Sequence, residues 1–329
     1  MKKMMGLLTI LALMMLGACA QSPDAVDTGA DGVSKGVCYD PGVNAFGAHF
    51  KTYLNNSGNS DLTGFGGSTS ITGDCKPVKQ PVIFIHGNGD NASGSAMPMG
   101  GWKNSRTYFL SKGYKPSELY AVNYGLAGAT NAALNYHSPA NLSKIYRFIK
   151  AVKTYTGAAK VDVIAHSLGV TSVRRVAKGG TYKDYTGASV SLGTANEVNN
   201  MIDTFVGIAG GNRGLNTCGV WPLGSYTPTC GPHGLAINNP FLKELQGSSS
   251  SPSSMKVGSY TYAIYSYADE LACAPMMPTT CYIYYVHTSK LQGQTGEKVY
   301  YSYPYGHMGA KNQTAAVQLN MVLNHNTNG

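Results

Sequence analysis

The sequence predicts an α/β fold, a mostly parallel sheet wound with helices on both faces. Three observations predict it. From residue 81 onward, short apolar runs alternate with stretches of helical spacing. The apolar runs read as strands buried on both faces, the mark of a parallel sheet. And the pentapeptide AHSLG at 165–169 directly follows one such run, VDVIA. It has the form of a tight strand-to-helix turn with a serine at its apex.

The elements follow in order. Residues 81–85 (PVIFI) form a strand, and 102–112 form a helix ended by Gly113. Residues 119–124 (LYAVNY) form the next strand. Ser138-Pro139 starts a helix, because serine caps free N–H groups and proline suits the first turn. Leu142, Ile145, Tyr146, Ile149 and Val152 then keep helical spacing until Gly157. Residues 161–165 feed Ser167, and a helix over 168–178 closes at Gly179-Gly180. Strands over 204–209 and 260–267 and a last helix over 310–324 complete the series. Two regions break the pattern. Residues 38–80 are rich in Gly, Asn and Ser and are expected to wrap the domain. Residues 211–256 include GSSSSPSS and read as an irregular insertion, a cap over the strand ends.

The N-terminus reads as a leader. Lys2 and Lys3 precede an apolar run over 6–16, too short to span a bilayer as a helix, and small residues follow. Leu16-Gly17-Ala18-Cys19 has the form of a bacterial lipobox, in which Cys19 is acylated and becomes the new N-terminus. Ala18-Cys19-Ala20 also fits ordinary A-x-A cleavage. The cysteine count favours the lipobox: of seven, Cys19 set aside leaves six, and an even number in an exported chain implies disulfides. Sequential pairing is the simplest, Cys38 with Cys75, Cys218 with Cys230 and Cys273 with Cys281. The expected organisation is a signal peptide over 1–18, a flexible tether over 19–37 and one α/β domain over 38–329. Membrane contact is expected only through an N-terminal lipid.

Composition narrows the chemistry. The net charge of +9 is scattered and accompanies no nucleic-acid motif, so nucleic acid is excluded as a partner. No cysteine or histidine spacing matches a metal site, and no cofactor is expected.

Parallel sheets place their sites at the carboxyl ends of strands. Three reactive groups fall there: Ser167 after one strand, Asp269 after TYAIYSYA, and His307 in YPYGHMG before the last helix. Their order, Ser then Asp then His, is that of α/β-hydrolases. Serine needs a base, which His307 supplies, and Asp269 orients the imidazole and stabilises its charged form. Asp203 precedes its strand and belongs at the other end of the sheet; Glu270 is expected to point elsewhere. His233 and His287 are rivals to His307, and His86 and His166 read as neighbours of the site. An oxyanion would take the N–H of Leu168 and that of Asn88 in HGNGD, where Gly87 and Gly89 let the backbone turn. The alternative for Ser167 is a plain helix N-cap after a buried strand.

VIFIHGNGDN, NYHS at Asn135 to Ser138, AKVDVIAHSLGV and FVGIAGGNRGL resemble the bacterial secreted lipases. The resemblance is greatest to the lipase-like extracellular poly(3-hydroxybutyrate) depolymerases, from about Cys38 onward and including the six cysteines. It implies an α/β-hydrolase fold without a metal, a Ser167–His307–Asp269 triad, and oxyanion donors at Asn88 and Leu168. Leu168 stands where the family has methionine, and the aromatic insertion after the Cys230 position is reduced here to CGPHGLAINNPF. A second aromatic concentration, from Tyr282 to Tyr305, suits adsorption to a hydrophobic solid, an acyl groove, or edge strands with hydroxyls in water. The expected function is an exported serine hydrolase of an ester or polyester. The alternatives are a triacylglycerol lipase or short-chain carboxylesterase, and, in another class, a lipid-anchored binding protein without catalysis.

Overall fold

Seven strands build the central sheet of this computed structural model, which describes residues 38–94, 99–184, 186–223, 227–246, 255–273 and 278–329. The expected signal peptide, the Cys19 lipidation site and the tether over 19–37 lie outside the described residues. In chain order the elements are α1 (Ala48–Asn56), β1 (Gly64–Gly66), β2 (Val82–Ile85), α2 (Lys103–Ser111), β3 (Leu119–Val122), α3 (Pro139–Thr156), β4 (Val161–His166), α4 (Leu168–Lys178), β5 (Thr181–Lys183) and β6 (Ser189–Ser191). There follow β7 (Ile202–Ile208), α5 (Pro240–Gln246), β8 (Tyr260–Ser266), β9 (Tyr282–Ile283), β10 (Val286–His287), β11 (Gly296–Tyr300), α6 (Gly309–Asn312) and α7 (Ala315–Asn324).

The sheet order is β1-β3-β2-β4-β7-β8-β11. Only β1 runs antiparallel to its neighbour; every other pairing is parallel. The chain leaves β2 toward β3, then crosses back to place β4 on the other side of β2. The winding therefore reverses between β2 and β4, and the loops after these two strands open a crevice there.

Alternation along the strands divides two cores. Ile83, Ile85, Val163 and Ala165 face α1, α3, α4 and α5, against Phe50, Phe148 and Val173. Val82, Phe84 and Ile164 face α2 and α7, against Trp102, Phe109 and Met321. The local signals read in the sequence do their work. Ser138 accepts from the Asn141 N–H at 3.2 Å, and Gly157 closes α3 in the left-handed region. The six cysteines pair in sequence order, with Cα–Cα distances of 5.0, 4.9 and 4.2 Å. Among the described residues no helix is long and apolar enough to cross a membrane.

Several elements differ from the sequence expectation. The region over 38–80 contains α1, whose Phe50 and Leu54 are wholly buried. The strand β11 extends the sheet from a segment that is polar at its start and half-exposed, as suits an edge. The last helix is broken into α6 and α7. The Thr314 hydroxyl bonds back to the Ala310 carbonyl, and Gln318 Nε2 takes the Lys311 carbonyl, so the freed backbone groups are satisfied at the break.

One buried carboxyl sits inside the sheet. The β4–β7 register shifts between Val161 and Val163, and the Thr204 N–H released there donates to Asp162 Oδ1 at 3.0 Å. Gln80 donates to the same oxygen at 2.7 Å. Burial pushes the Asp162 carboxyl up to about 8, against the pull of these donors. Between the pKa of an unfolded aspartate and about 8, the folded chain holds a proton that the unfolded chain has released. Stability from this group therefore falls as pH rises through that window. Asp162→Asn keeps the acceptor and removes the titration, so thermal melts from pH 5 to 8 should show a shallower decline than the wild type. Asp162→Ala should cost about 1–3 kcal/mol in urea unfolding, because it strands the Thr204 N–H.

Candidate active site

The turn between β4 and α4 forces Ser167 into a conformation that side chains avoid, with φ 53° and ψ −125°. Such a residue costs about 1–3 kcal/mol and persists only where its surroundings dictate it. Here they do. The Ser167 N–H donates to the Ile208 carbonyl at 2.8 Å, and its carbonyl accepts from the Val170 N–H at 3.0 Å. The approach of β2 explains the flanking glycines. A Cβ on Gly169 would lie 2.4 Å from the His86 carbonyl oxygen, and one on Gly87 would lie 2.9 Å from the Ser167 Cβ. Ala165 is tolerated because its methyl lies within the strand, buried in the α3–α4 core and paired with Ile85 and Gly207. The Ser167 side chain makes no capping hydrogen bond. A helix cap would use its hydroxyl and would hold an extended backbone, so the simple N-cap alternative fails on both counts.

Asp269 follows β8 and is wholly buried. Its Oδ1 accepts from the N–H groups of Leu271 and Ala272 at 3.0 and 2.9 Å. Both carboxylate oxygens meet His307 Nδ1, at 3.0 and 2.9 Å. Burial alone would raise the Asp269 carboxyl, but His307 and the two N–H groups hold it below the ordinary carboxylate value. Burial likewise works to lower the His307 imidazole, and the Asp269 charge overcomes it and raises the ring above its ordinary value. Nδ1 is thus committed to the acid, which leaves Nε2 to exchange protons.

Two contacts fix the histidine loop. The His307 N–H donates to Glu270 Oε2 at 2.9 Å. Glu270 therefore corrects the expectation that it points elsewhere: it turns from the ring but grips the backbone of the same residue. The His307 carbonyl accepts from His166 Nε2 at 3.1 Å, with the two rings 4.7 Å apart. His166 directly precedes Ser167, so this bond joins the serine turn to the histidine loop. Burial keeps the His166 imidazole well below its ordinary value, and the ring is a neutral strut.

On the other side of the turn, neither the Asn88 nor the Leu168 N–H finds an acceptor among the described residues. Leu168 is the first residue of α4, so its N–H has no partner within the helix. Asn88 is held by its side chain, which accepts from Asn135 Nδ2 and donates to the Ala132 carbonyl, both at 2.9 Å. His137, two residues on, donates from Nδ1 to the His233 carbonyl at 2.7 Å and takes Thr171 Oγ1 at Nε2 at 2.6 Å. Burial pushes its imidazole down to about 3, so the ring is neutral. The NYHS segment thus braces both the Asn88 loop and α4.

Of the rival histidines, His287 is spent on structure, whereas the His233 ring packs beside Phe241 at 5.7 Å with no hydrogen-bond partner on Nδ1 among the described residues. His287 Nδ1 accepts from the Ser289 N–H at 3.1 Å, and its Nε2 faces the Ser266 carbonyl at 3.3 Å. His86 donates to the Gly87 carbonyl at 2.8 Å, stacks on Tyr124, and is pushed by burial down to about 4. The His233 carbonyl serves His137. Asp203 lies near the amino end of β7 against Lys160 at 3.3 Å, as expected. Cys273, Cys281 and His287 form a group with ligand spacing, but the two sulfurs are bonded to each other, so the donor set does not fit a metal.

A family model described as Lipase (class 2) matches residues 79–320. The chain belongs to the class 2 lipase family. Its sheet is that of an α/β-hydrolase, and the family match supports a lipolytic ester hydrolase. Among solved structures it is similar to Aspergillus fumigatus lipase B, at 18% identity and TM-score 0.48, over 76% of this chain and 54% of that one. It thus spans about half the length of the Aspergillus lipase. It is also similar to the mature form of a Bacillus licheniformis lipase, at 11% identity and TM-score 0.48, over 75% and 93% of the two chains. A third is an extracellular alpha/beta-hydrolase from a Paenibacillus species, at 11% identity and TM-score 0.42, over 74% and 100%.

One residue pair in this lipase domain lies outside the sequence expectations. Lys311 of α6 is wholly buried and donates to Asp90 Oδ2 at 2.8 Å and to the Met99 carbonyl at 2.5 Å. Asp90 Oδ1 accepts from the N–H groups of Asn91 and Gly101. The pair ties the Asn88 loop to the segment that follows His307. The signal was present: two charges, in HGNGD and GHMGAK, each beside a site motif in a chain sparing of charge. Lys311→Met should leave the Asp90 carboxylate buried and unpaired, at a cost of about 3–5 kcal/mol in urea unfolding. Adding Asp90→Asn should recover much of that loss.

Proposed function

We propose that this chain is an exported serine hydrolase of carboxylic esters, with a poly(3-hydroxybutyrate)-type polyester as substrate. What supports the catalytic reading is the buried Asp269–His307 pair, joined through His166 to a strained serine whose hydroxyl caps nothing. In the first half-reaction His307 Nε2 takes the Ser167 proton as Oγ bonds to the acyl carbon. The carbonyl oxygen becomes an oxyanion and accepts the N–H groups of Asn88 and Leu168. The bond to the alcohol oxygen breaks, and His307 gives its proton to that oxygen as it leaves. Water then repeats the cycle on the acyl-serine: its proton goes to His307, its oxygen to the acyl carbon, and Ser167 recovers a proton as the acid departs.

The polymer reading draws support from the rim. Large apolar side chains are exposed on the loops that carry the site. Leu126 and Leu134 lie beside the Asn135 brace, Leu271 lies two residues after Asp269, and Tyr303 lies four before His307. Apolar groups gathered in this way suit a hydrophobic solid. The family description favours a second reading, a triacylglycerol lipase with the same chemistry. Three disulfides suit an oxidising, extracytoplasmic location, and a lipid on Cys19 would hold the domain at a surface.

Ser167→Ala should lower ester turnover by at least about 10⁴-fold. In the wild type, kcat/KM should fall as pH drops through a His307 pKa that lies above the ordinary 6.5. Asp269→Asn should move that limb to lower pH, because it removes the charge that favours the imidazolium. Clearing of polyhydroxybutyrate granules should exceed fatty-acid release from long-chain triglyceride; the reverse result gives the substrate to the lipase reading. Mass spectrometry of the mature protein should find an acylated Cys19 at the N-terminus, and an unmodified start at Gln21 would overturn the anchor.

A further inference from the structure

A second concavity, of about 310 Å³, lies on the outer flank of the acid loop, between β8, β11 and the β9–β10 hairpin. Tyrosines form half of its lining. Tyr267 stacks on Tyr301 with ring centroids 5.3 Å apart and 13° between planes, and it meets Tyr282 at 5.9 Å. Tyr285 is 97% exposed and Tyr301 75%. Tyr267 lies two residues before Asp269, and Tyr301 six before His307. The volume falls within the range of small-ligand sites.

The polar groups of this groove are unequal. Its carboxylate, Glu297, is largely engaged: it accepts from the Tyr265 hydroxyl at 2.9 Å, Lys290 at 3.3 Å and Gln294 at 2.5 Å. The Tyr267 and Tyr282 hydroxyls bond to each other at 2.9 Å, and in such a pair the accepting hydroxyl still has its own hydrogen to give. Neither the Tyr285 nor the Tyr301 hydroxyl has a partner among the described residues. The groove therefore offers aromatic faces and free O–H donors. A chain with carbonyl acceptors separated by short aliphatic spacers matches both features.

We infer that this groove is an accessory subsite that binds an aliphatic oligoester chain at units remote from the ester being cleaved. The inference rests on the proposed hydrolase function and adds to it the place where the uncleaved part of the substrate lies. Each ring would cover an aliphatic spacer, and the free hydroxyls would donate to successive ester carbonyls.

The test is a calorimetric titration of the linear 3-hydroxybutyrate tetramer onto Ser167→Ala protein, which binds without turning over. The same titration on Ser167→Ala carrying Tyr285→Ala and Tyr301→Ala should give roughly tenfold weaker binding, the order expected for two lost aromatic contacts. Both tyrosines are solvent-exposed, so the fold should survive, as circular dichroism would check. Tyr282→Phe, which deletes a hydroxyl and keeps the ring, should weaken the tetramer by a few-fold. Equal affinity across the series overturns the subsite, and so does a xylotetraose that binds more tightly than the oligoester. The titration needs no turnover. Absence of ester cleavage by the wild type would instead count against the hydrolase reading, so the two failures are told apart.

Discussion

The site depends on one interaction, the buried hydrogen-bonded pair of Asp269 and His307. Burial by itself would neutralise both partners, raising the acid and lowering the imidazole. Each shift runs the other way, because the mutual attraction outweighs the desolvation. The carboxylate's other stabilisation comes from two backbone N–H groups of its own loop. The acid is therefore ionised before any substrate arrives, and the ring is held in one tautomer by a partner that cannot rotate away. A charge pair so dry is stable only while every donor around it stays in place.

That requirement explains why the loops around the pair are tied so often. The acid loop is anchored by the Cys273–Cys281 disulfide and by the Cys273 N–H on the Asp269 carbonyl at 2.8 Å. Glu270 and His166 hold the His307 backbone from opposite sides. Lys311 and Asp90 bind the following helix to the Asn88 loop, and Asn135 binds that loop to the segment before α3. Apart from the two ties within the acid loop, each joins elements far apart in sequence, so the geometry is a property of the closed sheet and not of any single loop. The ion pair is an expensive way to make such a joint, since a buried lysine must be desolvated. What it supplies that an apolar contact would not is direction: Lys311 reaches one carboxylate oxygen and one carbonyl at once.

Much of this was legible in the sequence because it rests on local rules. The start of α3 at Ser138-Pro139, its stop at Gly157 and the run of α4 from Leu168 are set by caps and spacing within a few residues. The serine turn was legible because its steric demand leaves a mark, a glycine wherever β2 comes too close for a Cβ. The positions of Asp269 and His307 at strand ends followed from topology. The elements that were missed depend on distant partners or on a side chain competing with the backbone. The half-exposed strand β11 is a strand because β8 offers it an edge, not because GEKVY demands one. The break between α6 and α7 comes from a threonine hydroxyl choosing a carbonyl four residues back. Glu270 follows Asp269 directly, and sequence alone could not show that two adjacent carboxylates serve the ring and the backbone of one histidine.

The same division separates the buried half of the site from its rim. The acid, the imidazole and their struts are all wrapped in fixed hydrogen bonds, and any substitution there must satisfy several partners at once. The rim is built from Leu126, Leu134, Leu271, Tyr285, Tyr301 and Tyr303, side chains that reach into solvent and lean on few neighbours. An exposed aromatic costs little in stability to gain or lose. Chemistry and substrate range can therefore change independently on this scaffold. Tyrosines are concentrated beyond the acid loop, on the opposite side of β8 in the chain from Cys230. Changing exposed side chains there leaves every buried bond of the Asp269–His307 pair untouched, whereas moving either partner of that pair would require rebuilding the ties that hold it.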